Sequence, residues 1–216
     1  MSFPASLALK REAREGNPAG ERYDRQRRGR EIIRVHQEDA CQALGVLPHR
    51  KYQNEGGPGV GDLVSLLRTH SSERAEDVDT FVRAVGFNWL VAGTDAHAKN
   101  YSILLASGPR VRLAPLYDVA GILPYGAFDM RKVKFAMKIG GTYELSMIGP
   151  RQWRKLAREI RIDEGGMIDA LRGMANELPD RMEETRRAAK KEGLDHAVID
   201  RLASRILARL KACDLK

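Results

Sequence analysis

The segment that most constrains the fold is a helical pattern that ends in a short acidic loop. From Asp77 onward, apolar residues recur at spacings of three and four positions, as on the buried face of an α-helix. These residues are Val78, Phe81, Val82, Val85, Trp89 and Ala92. The pattern leads directly into residues 93–95, and two short apolar runs follow at residues 101–105 and 111–113. We therefore predict a buried helix, a loop held by its neighbours, and a two-stranded hairpin. Trp89 and Phe81 are expected to be buried.

Three polar residues mark this loop and hairpin as a candidate site. Asp95 and Asn100 are five positions apart, and Asp118 follows the second apolar run. Protein kinases place a catalytic Asp and a metal-binding Asn at this offset, with a metal-binding Asp later in the chain. Taken alone, Asp95 would be better explained as a turn residue bonded to nearby backbone amides. The three residues together predict a phosphoryl-transfer site at which their side chains converge.

The residues beside this trio leave alternatives open. Lys99 could neutralise phosphate charge or be an ordinary surface lysine. We favour a structural role for His97, because Asp95 already fills the position of the base. Asp95, His97 and Asp118 would also suit a metal-dependent hydrolase, but no second cluster of ligands supports that reading.

A glycine-rich stretch at residues 56–59 invites a phosphate-binding interpretation. No Gly-Lys-Ser or Gly-Lys-Thr follows it, so the pattern of a phosphate-binding loop is missing. We predict a flexible loop near the site rather than a nucleotide cradle.

Composition limits the class of protein. The 216-residue chain has a formal net charge of +8, which suits anionic partners. No zinc-finger or RNA-recognition pattern accompanies the charge, so any DNA contact is expected to be indirect or weak. Cys41 and Cys213 lie far apart and match no metal spacing. There is no apolar run of transmembrane length and no signal-peptide order at the N-terminus. We therefore predict a cytoplasmic protein with no membrane contact.

The remaining sequence is mainly helical in pattern. Residues 1–20 predict a poorly ordered leader. A hairpin is expected from Tyr23 through a basic turn at residues 27–30 to a strand at residues 32–35. Predicted helices cover residues 37–44, 62–70, 152–160, 165–178 and 179–193, with Pro179 at a helix start. A final helix carries Val198, Leu202, Ile206 and Leu210 on one face and Arg201, Arg205 and Arg209 on another. The fold class predicted is α+β, mostly α, with a few short strands around the acidic site.

Five segments between residues 21 and 125 read ERYDR, VHQEDACQALG, KYQNEGGPG, FNWLVAGTDAHAKNYSILL and RLAPLYDVAGILPY. Together they resemble one known family, the HipA-type serine/threonine kinases of bacterial toxin–antitoxin systems. The combination of TDAHAKN and LAPLYD is the most specific of these matches. The resemblance implies that residues 21–216 form a domain like the C-terminal lobe of a protein kinase.

The resemblance also implies roles for individual residues and a requirement for ATP and Mg²⁺. Asp95 would accept the proton of a serine or threonine hydroxyl on a protein substrate. Asn100 and Asp118 would hold Mg²⁺. The phosphate side of ATP would be lined by His97, Lys99, Asn100, Tyr117 and Asp118. The hinge that meets the adenine would be formed by Glu21, Arg22 and Tyr23.

One departure from the family affects the expected activity. HipA-type kinases have a full N-terminal lobe before the hinge, with a glycine-containing phosphate loop and a nucleotide-binding lysine. Here residues 1–20 stand before the hinge motif, so we expect a chain that is incomplete without a separately encoded N-terminal lobe. Positioning and charge stabilisation account for most phosphoryl-transfer catalysis, so losing that lobe would cost activity. The alternative is an inactive remnant that binds a DNA-binding antitoxin or a full-length relative.

Overall fold

The computed structural model describes residues 23–106, 108–126, 128–213 and 215. The predicted leader at residues 1–20 and the hinge candidates Glu21 and Arg22 lie outside the described residues. Within the described part, helices dominate and the strands are short, as the sequence predicted.

In the described part of the chain, seven strands form three small antiparallel sheets. The first sheet is a hairpin of β1 (Arg25–Arg28) and β2 (Glu31–Arg34), as predicted. The second has the order β3–β4–β5, with strands His36–Asp39, Ser102–Leu105 and Val111–Leu113. The third pairs β6 (Lys134–Ile139) with β7 (Thr142–Glu144), neither of which was predicted.

Six α-helices, counted over the same described residues, surround these sheets. They are α1 (Ala40–Ala43), α2 (Val60–His70), α3 (Arg74–Val91), α4 (Pro150–Glu159), α5 (Glu164–Lys191) and α6 (Ala197–Ala212). Short 3₁₀ turns cover Pro48–Arg50, Gln53–Glu55, Ala98–Asn100 and Leu145–Met147. Among the described residues, no helix has both the length and the apolar character needed to cross a membrane.

The helix predicted over residues 37–44 is wrong in its first half. Residues up to Asp39 belong to β3, where Asp39 pairs with Ser102 and His36 with Leu105. Asp39 then caps α1, because its side chain accepts from the Gln42 backbone amide while the Gln42 side chain accepts from the Asp39 amide. This capping box fixes the helix start at Ala40, three residues later than the sequence pattern suggested.

The predicted break at Pro179 is also wrong. Pro179 lies inside α5, which runs without interruption through 28 residues. A proline inside a helix costs about 3 kcal/mol. The first half of α5 buries Met167, Ile168, Leu171, Met174 and Leu178 against the core, and that burial offsets the cost.

The core forms around α3, as predicted. Phe81 is 0% exposed and Trp89 is 2% exposed. Trp89 packs edge-on against Trp153 of α4, with ring centroids 5.6 Å apart. At the other end of α3, the buried Asp77 carboxylate accepts from the Ser71 hydroxyl, the Leu113 amide and the Arg112 guanidinium. These bonds fix α3 to β5, so the helix is anchored along its whole length.

Candidate active site

The loop that carries the candidate site begins where α3 ends. We call residues 93–101 the site loop. Ala92 adopts a left-handed conformation with φ of 54°, and the Gly93 amide donates to the Asn88 carbonyl at 2.7 Å. A Cβ at Gly93 would lie 2.3 Å from Asn88 Oδ1, so only glycine fits here. Asn88 Nδ2 in turn donates to the Tyr101 hydroxyl at 3.3 Å. Both ends of the site loop are therefore tied to one buried residue, the first end through the Asn88 backbone and the second through the Asn88 side chain.

Asn100 brings Asp95 and Asp118 together. Its Nδ2 donates to the Asp95 backbone carbonyl at 3.2 Å and to the Asp118 backbone carbonyl at 3.4 Å. Asn100 is buried, and no described residue donates to its Oδ1. Asp118 has φ of 55°, a conformation that few residues other than glycine adopt. The three residues singled out from the sequence thus meet in one small network, although their chemical roles remain predictions.

The oxygen atoms around Asn100 suit a magnesium ion. Both hydrogen bonds of the Asn100 side chain use Nδ2. Oδ1 is therefore left as an acceptor beside the segment that carries the Asp118 carboxylate. Mg²⁺ prefers such hard oxygen ligands and usually takes one or two carboxylates together with substrate phosphates and water. The described residues contain no group of three or more His, Cys, Asp or Glu side chains that could hold a metal. The hydrolase alternative therefore gains no further ligands from the described residues.

Lys99 and Tyr117 hold the site loop against neighbouring strands. Lys99 Nζ forms a 2.6 Å ion pair with Asp39 Oδ2 at the end of β3. The Tyr117 hydroxyl donates to the Lys99 carbonyl at 2.7 Å and lies 2.5 Å from Ser102 Oγ. Burial raises the pKa of Tyr117, so its hydroxyl keeps its proton and its hydrogen bond. Both residues were predicted to line the phosphate side, and here they make structural contacts as well.

Tyr23 is the described member of the predicted hinge, and it lies next to this cluster. Its ring stacks on that of Tyr117, with centroids 6.5 Å apart. The hairpin that follows Tyr23 is therefore placed beside the candidate site.

His97 is buried and uncharged in this setting. It is 5% exposed, and its Nδ1 has no hydrogen-bond partner among the described residues. Burial lowers the pKa of His97, and the nearby Lys51 ammonium lowers it further. A neutral, buried imidazole is compatible with the structural role that we favoured, and that role stays a prediction.

Sequence reasoning missed a direct contact to Asp95. The Tyr52 hydroxyl donates to Asp95 Oδ1 at 2.6 Å, and this bond raises the pKa of Tyr52 to about 12. Tyr52 belongs to residues 47–59, which we call the Tyr52 loop. Only its residues 56–59 were predicted to be a flexible loop near the site, and hydrogen bonds fix the part of the Tyr52 loop before them on two sides. The Ala98 amide donates to the Lys51 carbonyl at 3.3 Å, and the Lys138 amide donates to Gln53 Oε1 at 2.6 Å. The KYQNEGGPG motif was the only signal in the sequence that could have pointed to Tyr52.

Two arginines of α6 also bond to backbone segments next to the candidate site. Arg209 donates to the Trp89 carbonyl at 2.8 Å and the Leu90 carbonyl at 3.1 Å, at the end of α3. Arg205 donates to the Leu123 carbonyl at 2.8 Å, in the segment after Asp118. The sequence placed these arginines on a basic face of α6, whereas in the structure both guanidinium groups donate to backbone carbonyls of other segments.

Comparison with known proteins identifies the family. A family model described as "HipA-like C-terminal domain" matches residues 5–186. The chain belongs to the HipA-like C-terminal domain family.

Two curated relatives agree with this assignment. The Sinorhizobium fredii protein "Putative kinase Y4mE" is 42% identical over 144 residues, which cover 66% of this chain and 33% of that protein. The Shewanella oneidensis "Serine/threonine-protein kinase toxin HipA" is 28% identical over 172 residues, which cover 74% and 39%. The chain thus spans between 33% and 39% of the length of the relatives it matches.

A solved structure supports the fold. The complex of Shewanella oneidensis HipA, HipB and operator DNA contains a chain that matches with a TM-score of 0.75 and 22% identity. The match covers 89% of this chain and 47% of that chain. The predicted mostly α fold, like the C-terminal lobe of a HipA kinase, is confirmed.

Proposed function

We propose that this chain provides the acceptor- and magnesium-binding half of an ATP-dependent serine/threonine protein kinase. The observation that carries the proposal is the Asn100 side chain, which bonds to the backbones of both Asp95 and Asp118. A phosphoryl-transfer site needs the base and the metal ligands within one small volume, and this network supports the proposal because it brings the three residues close together.

In this proposal each residue has a separate task. Asp95 accepts the proton of a serine or threonine hydroxyl as that oxygen bonds to the γ-phosphorus of ATP, and ADP leaves. Asn100 Oδ1 and the Asp118 carboxylate hold Mg²⁺, which offsets the phosphate charge when it is bound. His97, Lys99 and Tyr117 support the loop on the phosphate side. The adenine hinge at Glu21, Arg22 and Tyr23 and the cytoplasmic location remain predictions.

The comparisons also suggest which partners the chain would need. Because the chain spans between 33% and 39% of the length of these two kinase relatives, we propose that transfer requires phosphate-binding elements from an N-terminal lobe. The HipA neighbour is described in a complex with HipB and operator DNA. We extend this by proposing an antitoxin partner for the present chain, with any DNA contact made indirectly.

Radiolabelled ATP and a library of serine- and threonine-containing peptides would test the proposal. Residues 1–216 are assayed alone and together with the part of the Y4mE relative that lies outside the matched segment. We expect weak nucleotide binding and no transfer above background from the chain alone, and transfer when the second polypeptide is added. Asp95→Asn should then lower the restored rate by at least about 10²-fold, as removal of a general base does.

A matched control distinguishes the loss of the base at Asp95 from the general effect of removing one negative charge. Asp79 is an exposed carboxylate on α3 that pairs with Arg83 at 2.7 Å, and Asp79→Asn should leave the restored rate unchanged. Transfer by the isolated chain would overturn the requirement for the second lobe. If no transfer occurs even with the lobe present, the chain is better explained as a module that binds an antitoxin or a full-length relative.

A further inference from the structure

We propose that Tyr52 is a positioning residue for Asp95, acting through the hydrogen bond from its hydroxyl to Oδ1 of the carboxylate. The proposal rests on the proposed function, because it gives Tyr52 a part in the transfer for which Asp95 is the base. Tyr52 lies 43 positions before Asp95 in the sequence, and its hydroxyl lies 2.6 Å from Oδ1.

The carboxylate needs such a partner because Asp95 is exposed. An exposed carboxylate can rotate among several side-chain conformations, whereas a general base has to stay within hydrogen-bond reach of the reacting hydroxyl. Among the described residues, the Tyr52 hydroxyl is the side-chain donor recorded for this carboxylate. Because Tyr52 occupies Oδ1, Oδ2 remains for the hydroxyl of the acceptor.

The loop that carries Tyr52 is built to hold it in place. The Lys51 carbonyl accepts from the site loop at Ala98, and Gln53 Oε1 accepts from β6 at Lys138. A Cβ at Gly57 would lie 2.0 Å from the Arg50 carbonyl oxygen, so the tight return of the loop requires glycine. The Tyr52 ring also packs edge-on against His97, with centroids 5.2 Å apart. Tyr52 is therefore held in place by the hydrogen bonds of its two sequence neighbours, Lys51 and Gln53.

A phenol suits this task better than a cation would. An ammonium or guanidinium group hydrogen-bonded to the Asp95 carboxylate would offset the negative charge that lets the carboxylate accept a proton. The bond to Asp95 raises the pKa of Tyr52 to about 12, so the hydroxyl stays protonated at physiological pH and remains a donor. During transfer Tyr52 keeps its proton, and the proton of the acceptor hydroxyl goes to Asp95.

The contact can be tested without any enzymatic activity. Residues 1–216 are labelled with tyrosine carrying ¹³C at Cζ, and the Tyr52 signal is assigned from the Tyr52→Phe spectrum. At about pH 10.5 an ordinary phenol is mostly ionised, but the Tyr52 signal should still be that of the protonated form. In Asp95→Asn the same signal should titrate close to the ordinary value of 10.0. Ordinary titration in the wild type would overturn the contact and the positioning role, without bearing on the proposed function.

The role is tested by kinetics in the two-polypeptide assay described above. Tyr52→Phe keeps the ring and removes the hydroxyl, so we expect kcat to fall about 10- to 100-fold while KM for ATP is unchanged. Tyr143→Phe is the matched control, because Tyr143 lies in β7 and its hydroxyl has no recorded hydrogen bond among the described residues.

The outcomes separate positioning from a purely structural role. A loss of thermal stability with kcat unchanged at a temperature where Tyr52→Phe is folded would overturn the positioning role and leave the proposed function intact. A fall in kcat for Tyr143→Phe as large as that for Tyr52→Phe would overturn it too. If the wild-type pair shows no transfer at all, both proposals fail.

Discussion

The floor of the candidate site and the β1–β2 hairpin differ in how firmly the rest of the chain holds them. The floor is the junction of α3, the site loop and α6, where the last residues of α3 are buried and its last carbonyls are bonded to Arg209. The hairpin contacts the site through Tyr23, but β2 is exposed along its whole length and Ile32 is 71% exposed. The half of the site that would bind acceptor and metal is therefore supported by the chain itself. The exposed hairpin is compatible with our proposal that further kinase elements meet this side.

The largest effect should follow from a change in the floor. Trp89 lies four residues before Gly93 and packs against Trp153, so Trp89→Ala should lower the free energy of unfolding by about 3–5 kcal/mol. Urea unfolding followed by circular dichroism measures this loss. Trp89→Phe is the control, and it should cost less because it keeps most of the ring and because Trp89 Nε1 has no hydrogen-bond partner to lose among the residues that the structure describes. A loss of about 1 kcal/mol or less for Trp89→Ala would show that the floor is not tightly packed.

A smaller loss is expected from α6. Arg209 is mostly buried, burial lowers its pKa, and its guanidinium bonds only to carbonyls in the described residues. Arg209→Met keeps the apolar stem of the side chain but leaves these carbonyls without a charged donor. The free energy of unfolding should therefore fall by about 1.5–3 kcal/mol.

Arg201 provides the matched control for Arg209. It lies two turns earlier on the same face of α6 and is exposed, so Arg201→Met should change stability by less than about 0.5 kcal/mol. Equal losses in the two variants would mean that the inward bonds of Arg209 contribute nothing, and the contrast between buried floor and exposed surface would weaken.

The same contrast explains which parts of the structure could be predicted from the sequence. α3 was predicted because its buried face repeats every three to four residues, and Asp95, Asn100 and Asp118 were placed together because a short hairpin separates them. β3 was not predicted, because its His36–Asp39 sequence is polar and only pairing with β4 makes it a strand. Pro179 was misread because local helix rules ignore the tertiary burial that keeps α5 continuous.

The contacts that fix the candidate site were harder to predict than its central residues. Tyr52 meets Asp95 across 43 positions, and Arg209 meets Trp89 across 120 positions. No periodicity links residues so far apart, because the contacts depend on how the loops and helices pack. A stripe of arginines on a helix is also ambiguous, since the same spacing serves a solvated face or a set of donors aimed at backbone carbonyls.

The smallest effect is expected in the hairpin, and it provides the most direct test of the comparison. Ile32→Ala removes apolar surface that is already 71% exposed, so the free energy of unfolding should change by less than about 0.5 kcal/mol. Ile139 is the matched residue in β6, where it is 0% exposed, and Ile139→Ala should cost about 2–5 kcal/mol. Both variants are measured by urea unfolding under the same conditions. A loss of about 2 kcal/mol or more for Ile32→Ala would show that the hairpin is covered in solution, and the distinction between a supported floor and an exposed hairpin would no longer hold.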